Sequence, residues 1–377
     1  MAEREFDLVI YGASGFTGQY VLEEVARVTK DKGYKFAVAG RNESKLQKAL
    51  EESSKIVEMD LEKTPILIAD SGDDESLNSM ARKTKVVLNC VGPYRLYGEP
   101  VVRACVQNAT NHVDVSGEFM FLESMQAKYH ELAEEKGIYV VGACGFDSVP
   151  CVMGMDFVKK NFDGELQSIE TVLESHPGPK GYVINSGTYR TLLLTLASGD
   201  DITTVRQKIM PDSVPPVEPS PPKRFPLFKH ERLGKWCLPF DSDGSVIKRT
   251  LYYDYHTRKE KPISVSQYLS FTGLLQAVLT AVWGLVVMAL AQFKFGRDLL
   301  FKYPEYCTFG MFSNKGPSRE QASTSGFTLW LFANDSSRSK SLSARCDGPD
   351  PGYHCTATCL VASAMTVLED SKQMPFK

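Results

Sequence analysis

Residues 8–18 read Leu8-Val9-Ile10-Tyr11-Gly12-Ala13-Ser14-Gly15-Phe16-Thr17-Gly18, and the interpretation of the chain begins from them. A short apolar run leads into a loop with glycines three residues apart, and apolar residues at helical spacing follow to about residue 28. Glycines let the backbone turn tightly and approach a pyrophosphate, whose charge lies at the N–H groups of the helix N-terminus. The stretch therefore predicts a dinucleotide-binding turn. A tight strand–helix turn without a ligand is the alternative.

Composition places the chain among ordinary globular proteins large enough for two domains. It has 377 residues, a formal net charge of -3 and 43% hydrophobic residues, so no nucleic-acid partner is expected. Nine cysteines occur singly, which predicts reduced thiols in an intracellular protein. Six widely spaced histidines offer no metal cluster, and we predict no metal site.

The residue after the second predicted strand, 36–40, indicates which nicotinamide dinucleotide binds. A carboxylate at this point would bind the ribose hydroxyls of NAD, whereas an arginine matches the additional phosphate of NADP. Arg41 occupies the position, and no acid stands at the tip of the strand. We therefore predict NADP(H), with NAD(H) as the alternative. The structural alternative is that Arg41 is an exposed residue at the start of a helix and binds no cofactor.

Further strands are predicted at 66–70, 86–91, 112–116 and 138–142, with helices between them. Six such strands indicate one Rossmann domain over residues 1–150. Asp70 is predicted either to reach the adenine or to form a turn, and ligands of such folds bind at the carboxyl ends of the strands. The predicted cofactor contacts are Gly12, Ser14, Gly15, Phe16, Thr17, Gly18, Arg41, Asp70, Cys90, Val91, Gly92 and Ser116.

Six short motifs occur in order along this half of the chain. They are Gly-Ala-Ser-Gly-Phe-Thr-Gly (12–18), Ala-Gly-Arg (39–41), Asn-Cys-Val-Gly-Pro-Tyr (89–94), Tyr-Gly-Glu-Pro (97–100), Asp-Val-Ser-Gly-Glu (114–118) and Gly-Phe-Asp-Ser-Val-Pro (145–150). Together they resemble the saccharopine dehydrogenase-like oxidoreductases, in particular the animal, membrane-associated branch. The resemblance implies a Rossmann domain joined to an α+β domain, nicotinamide-dependent redox chemistry and association with lipid droplets.

Hydride transfer needs a group that stabilises or protonates the atom that gains charge. The candidates on the predicted strand-end loops are Tyr94 as a proton donor and Glu118 or Asp147 as binding or relay groups. Each has a structural alternative, since Tyr94 can form a wall and Asp147 can cap a helix. The pair Tyr255 and Lys259 has the spacing of a short-chain dehydrogenase, but it lies in a charged segment beyond the Rossmann domain, so we attribute the spacing to chance.

Residues 151–377 are predicted to form an α+β domain with a mainly antiparallel sheet. The patterns indicate strands at 167–173, 246–255, 326–333 and 352–360, and helices at 186–198 and 362–368. Seven prolines over residues 211–226 predict an extended Pro-rich linker. The expected fold class is therefore α/β, with an N-terminal Rossmann domain and a C-terminal α+β domain.

Residues 262–293 carry no formal charge, and basic residues flank them on both sides. The segment could span a bilayer, insert into one leaflet or a lipid droplet, or lie buried in an oligomer. Insertion from one side is favoured, because the strands before and after the segment are expected to share a sheet and basic flanks favour neither end for export.

We therefore hypothesise NADP(H)-dependent hydride transfer on an apolar or lipid substrate, at a lipid droplet or the cytosolic face of a membrane. The alternative is a non-catalytic Rossmann protein that serves as a lipid-droplet scaffold. The lysine-pathway reaction ranks lower, because the motif loops supply only Arg95 for a dicarboxylated substrate. A homodimer is compatible with the sequence.

Overall fold

A computed structural model of the chain describes residues 4–197, 202–220 and 224–375. The chain forms two compact units, of which the first combines Met1–Phe146 with Gly352–Lys377 and the second is Asp147–Pro351. The expected division at residue 150 lies close to the first boundary. The structure differs at the other end, where residues 352–377 belong to the first unit and not to the α+β domain.

The first unit contains a six-stranded sheet in which every pair of neighbouring strands is parallel. Its strands are β1 (Phe6–Tyr11), β2 (Phe36–Gly40), β3 (Ile66–Ile68), β4 (Thr84–Asn89), β5 (Asn111–Asp114) and β6 (Val140–Val141). They run in the order β3-β2-β1-β4-β5-β6, which is the Rossmann order. Leu8, Val9 and Ile10 of β1 are fully buried, because helices cover both faces of a parallel sheet. The predicted Rossmann fold is confirmed.

Five helices connect these strands. They are α1 (Phe16–Thr29), α2 (Glu43–Val57), α3 (Asp74–Lys83), α4 (Tyr94–Gln107) and α5 (Phe119–Lys136). Asn42 and Asp73 cap α2 and α3 by accepting hydrogen bonds from backbone N–H groups of the first turn. Helix α4 begins at Tyr94, directly after Pro93, and a second proline, Pro100, lies inside the helix.

The second unit contains a six-stranded mixed sheet and a small two-stranded one. Its strands are β7 (Ser168–His176), β8 (Ile184–Asn185), β9 (Phe228–Lys229), β10 (Trp236–Pro239), β11 (Ser264–Phe271), β12 (Phe312–Ser313), β13 (Gly326–Asn334) and β14 (Ser341–Pro349). The larger sheet has the order β14-β13-β7-β11-β10-β9. Only β7 and β11 pair in parallel within it, so the predicted mainly antiparallel sheet is confirmed.

Eight helices accompany these sheets among the described residues. They are α6 (Val149–Asn161), α7 (Ser186–Ala197), α8 (Thr203–Ile209), α9 (Gly244–His256), α10 (Leu274–Ala291), α11 (Lys294–Lys302), α12 (Pro304–Cys307) and α13 (Arg319–Thr324). The helix predicted at 186–198 is α7, and residue 198 lies outside the described residues. The strand predicted at 246–255 is wrong, because that segment is α9.

The apolar segment 262–293 divides into β11 and α10. Strand β11 pairs with β7 and β10, whereas α10 has one side in the protein core and the other side exposed. Ala277, Val287 and Ala291 are the buried residues of α10. The Pro-rich segment has no helix or strand over residues 211–220, as predicted, and residues 221–223 lie outside the described part.

The C-terminal residues complete the first unit. A π-helical turn (Pro351–Cys355) leads into α14 (Thr356–Glu369), so the strand predicted at 352–360 is wrong. Helix α14 packs against α1, β4 and β5. Leu360, Ala364 and Val367 recur at helical spacing and are buried in this contact, and the helix predicted at 362–368 is therefore the second half of α14.

Candidate functional site

The loop between β1 and α1 is built so closely that two of its positions require glycine. Gly12 has a φ of 88°, and a Cβ atom there would lie 2.6 Å from Cγ2 of Val91. A Cβ atom on Gly18 would lie 2.1 Å from the carbonyl oxygen of Gly12. The glycines therefore let the first turn of α1 approach the end of β1, which is the arrangement that leaves room for a pyrophosphate.

The N-terminus of α1 is open to an anion. Its N-cap is Gly15, which is exposed, and no side chain accepts a hydrogen bond from the first-turn N–H groups. The first turn contains no acidic residue. Ser14 and Thr17 are partly exposed beside it, and Phe16 is its first residue. Unpaired N–H groups and the helix dipole favour a phosphate at this point, so the residues fit the predicted cofactor.

Arg41 follows β2 directly and is exposed. Its guanidinium makes no hydrogen bond or ion pair with any residue that the structure describes, and Asn42, not Arg41, caps α2. Tyr11 lies within electrostatic range: burial raises the pKa of its hydroxyl, which bonds to Ser71 at 2.8 Å, while the charge of Arg41 acts in the opposite direction. An arginine without a counter-ion at this edge fits the third phosphate of NADP(H).

Asp70 holds the loop after β3. Its Oδ1 accepts a hydrogen bond from the N–H of Gly72 at 2.9 Å, and its own N–H donates to the hydroxyl of Ser76 at 3.0 Å. Of the two predicted roles, the turn is therefore visible in the structure. Contact with the adenine stays a prediction.

The loop after β4 lies against the glycine turn. The N–H of Cys90 donates to the carbonyl of Tyr11 at 2.8 Å. The side chain of Val91 packs so close to Gly12 that it would clash with a Cβ atom at that position. Burial, together with the charge of Asp114, raises the pKa of the Cys90 thiol to about 12, so it is neutral and no nucleophile. Gly92 is exposed next to them. The structure thus brings Cys90, Val91 and the glycine turn together.

Tyr94 and Glu118 have structural partners. Both carboxylate oxygens of Glu118 accept backbone hydrogen bonds at the start of α4, from Tyr94 at 2.7 Å and from Arg95 at 2.9 Å. The buried Tyr94 hydroxyl donates to the carbonyl of Asn89 at 2.8 Å, and burial raises its pKa well above the ordinary value. Glu118 therefore supplies the negative charge that the N-terminus of α4 favours, which stabilises the start of this helix at Tyr94.

Two polar residues that begin quoted motifs but were not predicted as site residues organise the ends of β4 and β5. Oδ1 of Asn89 accepts from the N–H of Val91 at 3.1 Å, and Oδ1 of Asp114 accepts from the N–H of Ser116 at 2.9 Å and of Ala143 at 3.1 Å. Ser116 in turn accepts from the N–H of Glu118 at 3.1 Å. The sequence signal available for Asn89 and Asp114 was the same: each is a polar residue at the end of an apolar strand.

Asp147 and Asp243 form a second group of carboxyls, in the second unit. Asp147 is exposed just before α6, whereas Asp243 is only 5% exposed before α9. Nε2 of Gln267 donates to Oδ2 of Asp243 at 2.9 Å, and Oδ1 has no partner among the described residues. Burial, followed by the charge of Asp147, raises the pKa of Asp243 to about 7. Nothing in the loop sequence 240–244 indicated that Asp243 would be buried.

Comparison with known proteins shows that the chain contains an NADP-binding domain. Residues 8–141 match the family described as the saccharopine dehydrogenase NADP binding domain. The chain is 40% identical to a Caenorhabditis elegans protein named "Lipid droplet localized protein", over 98% of this chain and 91% of that one. It is 37% identical to a human saccharopine dehydrogenase-like oxidoreductase, over 99% and 91%.

A solved structure shares the fold. The apo saccharopine dehydrogenase (L-Glu forming) from Saccharomyces cerevisiae covers 97% of this chain and 92% of its own, with a TM-score of 0.55 and 15% identity. At this identity the likeness concerns the fold alone.

Proposed function

The chain belongs to the saccharopine dehydrogenase-like oxidoreductases, and from this premise we propose that it transfers hydride between NADP(H) and an apolar or lipid substrate at a lipid-droplet surface. NADP(H) supplies the redox chemistry, and the turn after β1 together with Arg41 would hold it. The observation that carries the lipid part of the proposal is the exposed apolar side of α10.

Helix α10 is long and apolar enough to cross a membrane, although core helices of soluble proteins pass the same test. Its exposure separates it from such a core helix, because Leu275 is 72%, Leu279 59% and Leu285 62% exposed. Exposed apolar patches of this kind mark interaction surfaces. The opposite side packs into a core that includes Tyr189, Leu193, Leu300 and Phe312.

The topology of the second unit favours insertion from one side over a spanning helix. Strand β11 precedes α10 and β13 follows it, and both pair with β7 in the same sheet. A helix that crossed a bilayer would have to leave the core and separate its two flanks. Trp283 also ties α10 to the following segment, since its Nε1 donates to the carbonyl of Cys307 at 2.8 Å.

Residues after α10 suit the border between lipid and water. Phe293 and Phe295 are exposed, and Lys294 and Lys302 stand on the same short stretch. Aromatic and basic side chains favour this border, where phospholipid headgroups meet acyl chains. We therefore propose a shallow, one-sided contact with a lipid-droplet monolayer.

We expect Leu279→Gln to weaken binding to artificial droplets of phosphatidylcholine over triolein about tenfold, because the side chain would no longer transfer apolar area from water to lipid. Flotation of the purified protein with the droplets measures the bound fraction. Leu96→Gln is the matched control, since Leu96 is similarly exposed but lies on α4. Equal loss in both variants would contradict a role for α10.

Hydride transfer is tested with NADPH that is deuterated on one face of the nicotinamide. We expect the purified protein to move deuterium from one face only into one of a panel of lipid ketones and enoyl lipids, with stoichiometric NADPH oxidation. Mass spectrometry of the lipid product detects the transfer. No turnover with any of these lipids would count against the proposed reaction.

We keep Tyr94, Glu118 and Asp147 as candidate proton-transfer groups, and Asp147 is the one whose side chain is not already used in a structural hydrogen bond. It is exposed and makes no hydrogen bond or ion pair among the described residues. Tyr94 and Glu118 already serve α4 and β4, which favours the second candidate function, a non-catalytic scaffold on lipid droplets. Asp147→Asn and Tyr94→Phe distinguish the two, since a scaffold would keep its cellular role in both variants.

A further inference from the structure

Two cysteines face each other at the start of α14. Cys355 ends the π-helical turn before α14, and Cys359 lies in the first part of that helix. Their Sγ atoms are 3.8 Å apart. Cys355 is 8% exposed and Cys359 is partly exposed, so a small molecule can approach Cys359 first.

The Cys359 thiol differs chemically from several other cysteines of the chain. The hydrogen bond from Cys355 lowers the pKa of Cys359, whereas burial raises the pKa of Cys90, Cys144 and Cys237. The partial exposure of Cys359 adds to this difference, since a small oxidant can reach its sulfur. Cys359 is therefore the thiol most prepared for nucleophilic attack in this part of the structure.

We propose that Cys355 and Cys359 form a dithiol site that glutathione disulfide oxidises, and that the resulting disulfide weakens the binding of NADP(H). The Cys359 thiolate attacks one sulfur of glutathione disulfide, and the first glutathione leaves as a thiolate. Cys355 then attacks Cys359 in the mixed disulfide and releases the second glutathione. The protein thiols lose two electrons and two protons, and both appear in two molecules of reduced glutathione.

Closure of this disulfide must move the backbone. A disulfide needs sulfurs about 2.05 Å apart and Cβ atoms about 3.5–4.5 Å apart. Residues four apart on a regular helix have Cβ atoms about 5–6 Å apart. Leu360 and the later buried residues of α14 pack against α1, β4 and β5, so we infer that the movement falls on the π-helical turn and the first turn of α14.

That turn carries the aromatic contact to the cofactor site. Tyr353, two residues before Cys355, is buried with its ring 4.7 Å from Phe16 and 5.3 Å from Tyr20. His354 meets the Tyr20 ring edge-on at 4.9 Å. Phe16 is the first residue of α1, directly after Gly15. A shift of the turn therefore reaches the N–H groups that are assigned to the pyrophosphate.

The test compares reduced and oxidised full-length protein. After incubation with glutathione disulfide, we expect peptide mass spectrometry to show a link between Cys355 and Cys359 with the loss of two hydrogens. The Kd for NADPH, followed by its fluorescence, should rise about tenfold, within the usual range of coupling between sites, and dithiothreitol should restore it. By reciprocity, bound NADPH should disfavour the disulfide by the same factor.

Cys355→Ser and Cys359→Ser should bind NADPH as the reduced protein does and should not respond to glutathione disulfide. Cys346→Ser should respond like the wild type, because Cys346 lies on β14. Absence of the 355–359 link, or a link that leaves the Kd unchanged, would overturn the proposal. If the reduced protein binds no NADPH, the cofactor assignment fails and the coupling fails with it, whatever the state of the thiols.

Discussion

Asp243→Asn is expected to raise the free energy of unfolding by about 4 kcal/mol at pH 8, and by much less near pH 4, relative to the wild type. The folded-state pKa of Asp243 is raised from 3.8 to about 7. The native protein therefore binds more protons than the unfolded chain between these values, and the wild type loses stability as the pH rises through this window. Above pH 7 Asp243 is charged in the folded protein, and the free-energy cost of burying that charge lowers the stability in full. Asparagine is neutral at every pH and avoids this cost.

Urea unfolding of both proteins at several pH values between 4 and 8 measures this difference. Asp241→Asn is the matched control, because Asp241 is exposed in the same loop and its replacement should leave the pH dependence unchanged. A wild type and an Asp243→Asn variant with parallel pH profiles would contradict the burial of a protonated carboxyl at this position.

Arg41→Ala is expected to weaken NADPH binding about 50-fold and to leave NADH binding nearly unchanged, because one set of charge-assisted hydrogen bonds is lost. The wild type should bind NADPH more tightly than NADH. Titration of both cofactors against both proteins measures the four dissociation constants. High salt should reduce the preference for NADPH, since the Arg41 guanidinium is exposed and screened.

Arg82→Ala serves as the control for the removal of an exposed arginine from the same unit, and it should bind both cofactors as the wild type does. Equal affinities of the wild type for NADPH and NADH would refute the role of Arg41. A loss of both affinities in Arg41→Ala would indicate damage to the loop, whose neighbour Asn42 caps α2.

The Rossmann unit was predictable because its signals are local. Glycines at 12, 15 and 18 specify a close turn by themselves, and the apolar run Leu8–Ile10 specifies a strand buried on both faces. The residue at the tip of β2 is likewise found by counting from the turn. These predictions needed no knowledge of distant residues.

The errors arose where distant contacts decide the structure. The aromatic and β-branched residues of 246–255 favour a strand by propensity. The segment is instead the helix α9, and Asp254 on it forms an ion pair with Lys159 of α6 at 2.6 Å, a contact that the local pattern does not contain. The role of Glu118 depends on N–H groups that begin more than twenty residues earlier in the chain. The burial of Asp243 depends on Gln267 of β11. Single-sequence patterns contain none of these pairings.

The return of α14 to the first unit has a consequence during synthesis. The nascent chain cannot complete its nucleotide-binding unit when residue 146 leaves the ribosome, because α14 emerges about 200 residues later, roughly 10–40 s at ordinary translation rates. Until then the surfaces of β4 and β5 that α14 covers stay open to water and to chaperones. A premature stop codon before residue 356 would therefore leave the first unit without α14, with the apolar surfaces of α1, β4 and β5 that this helix covers permanently exposed.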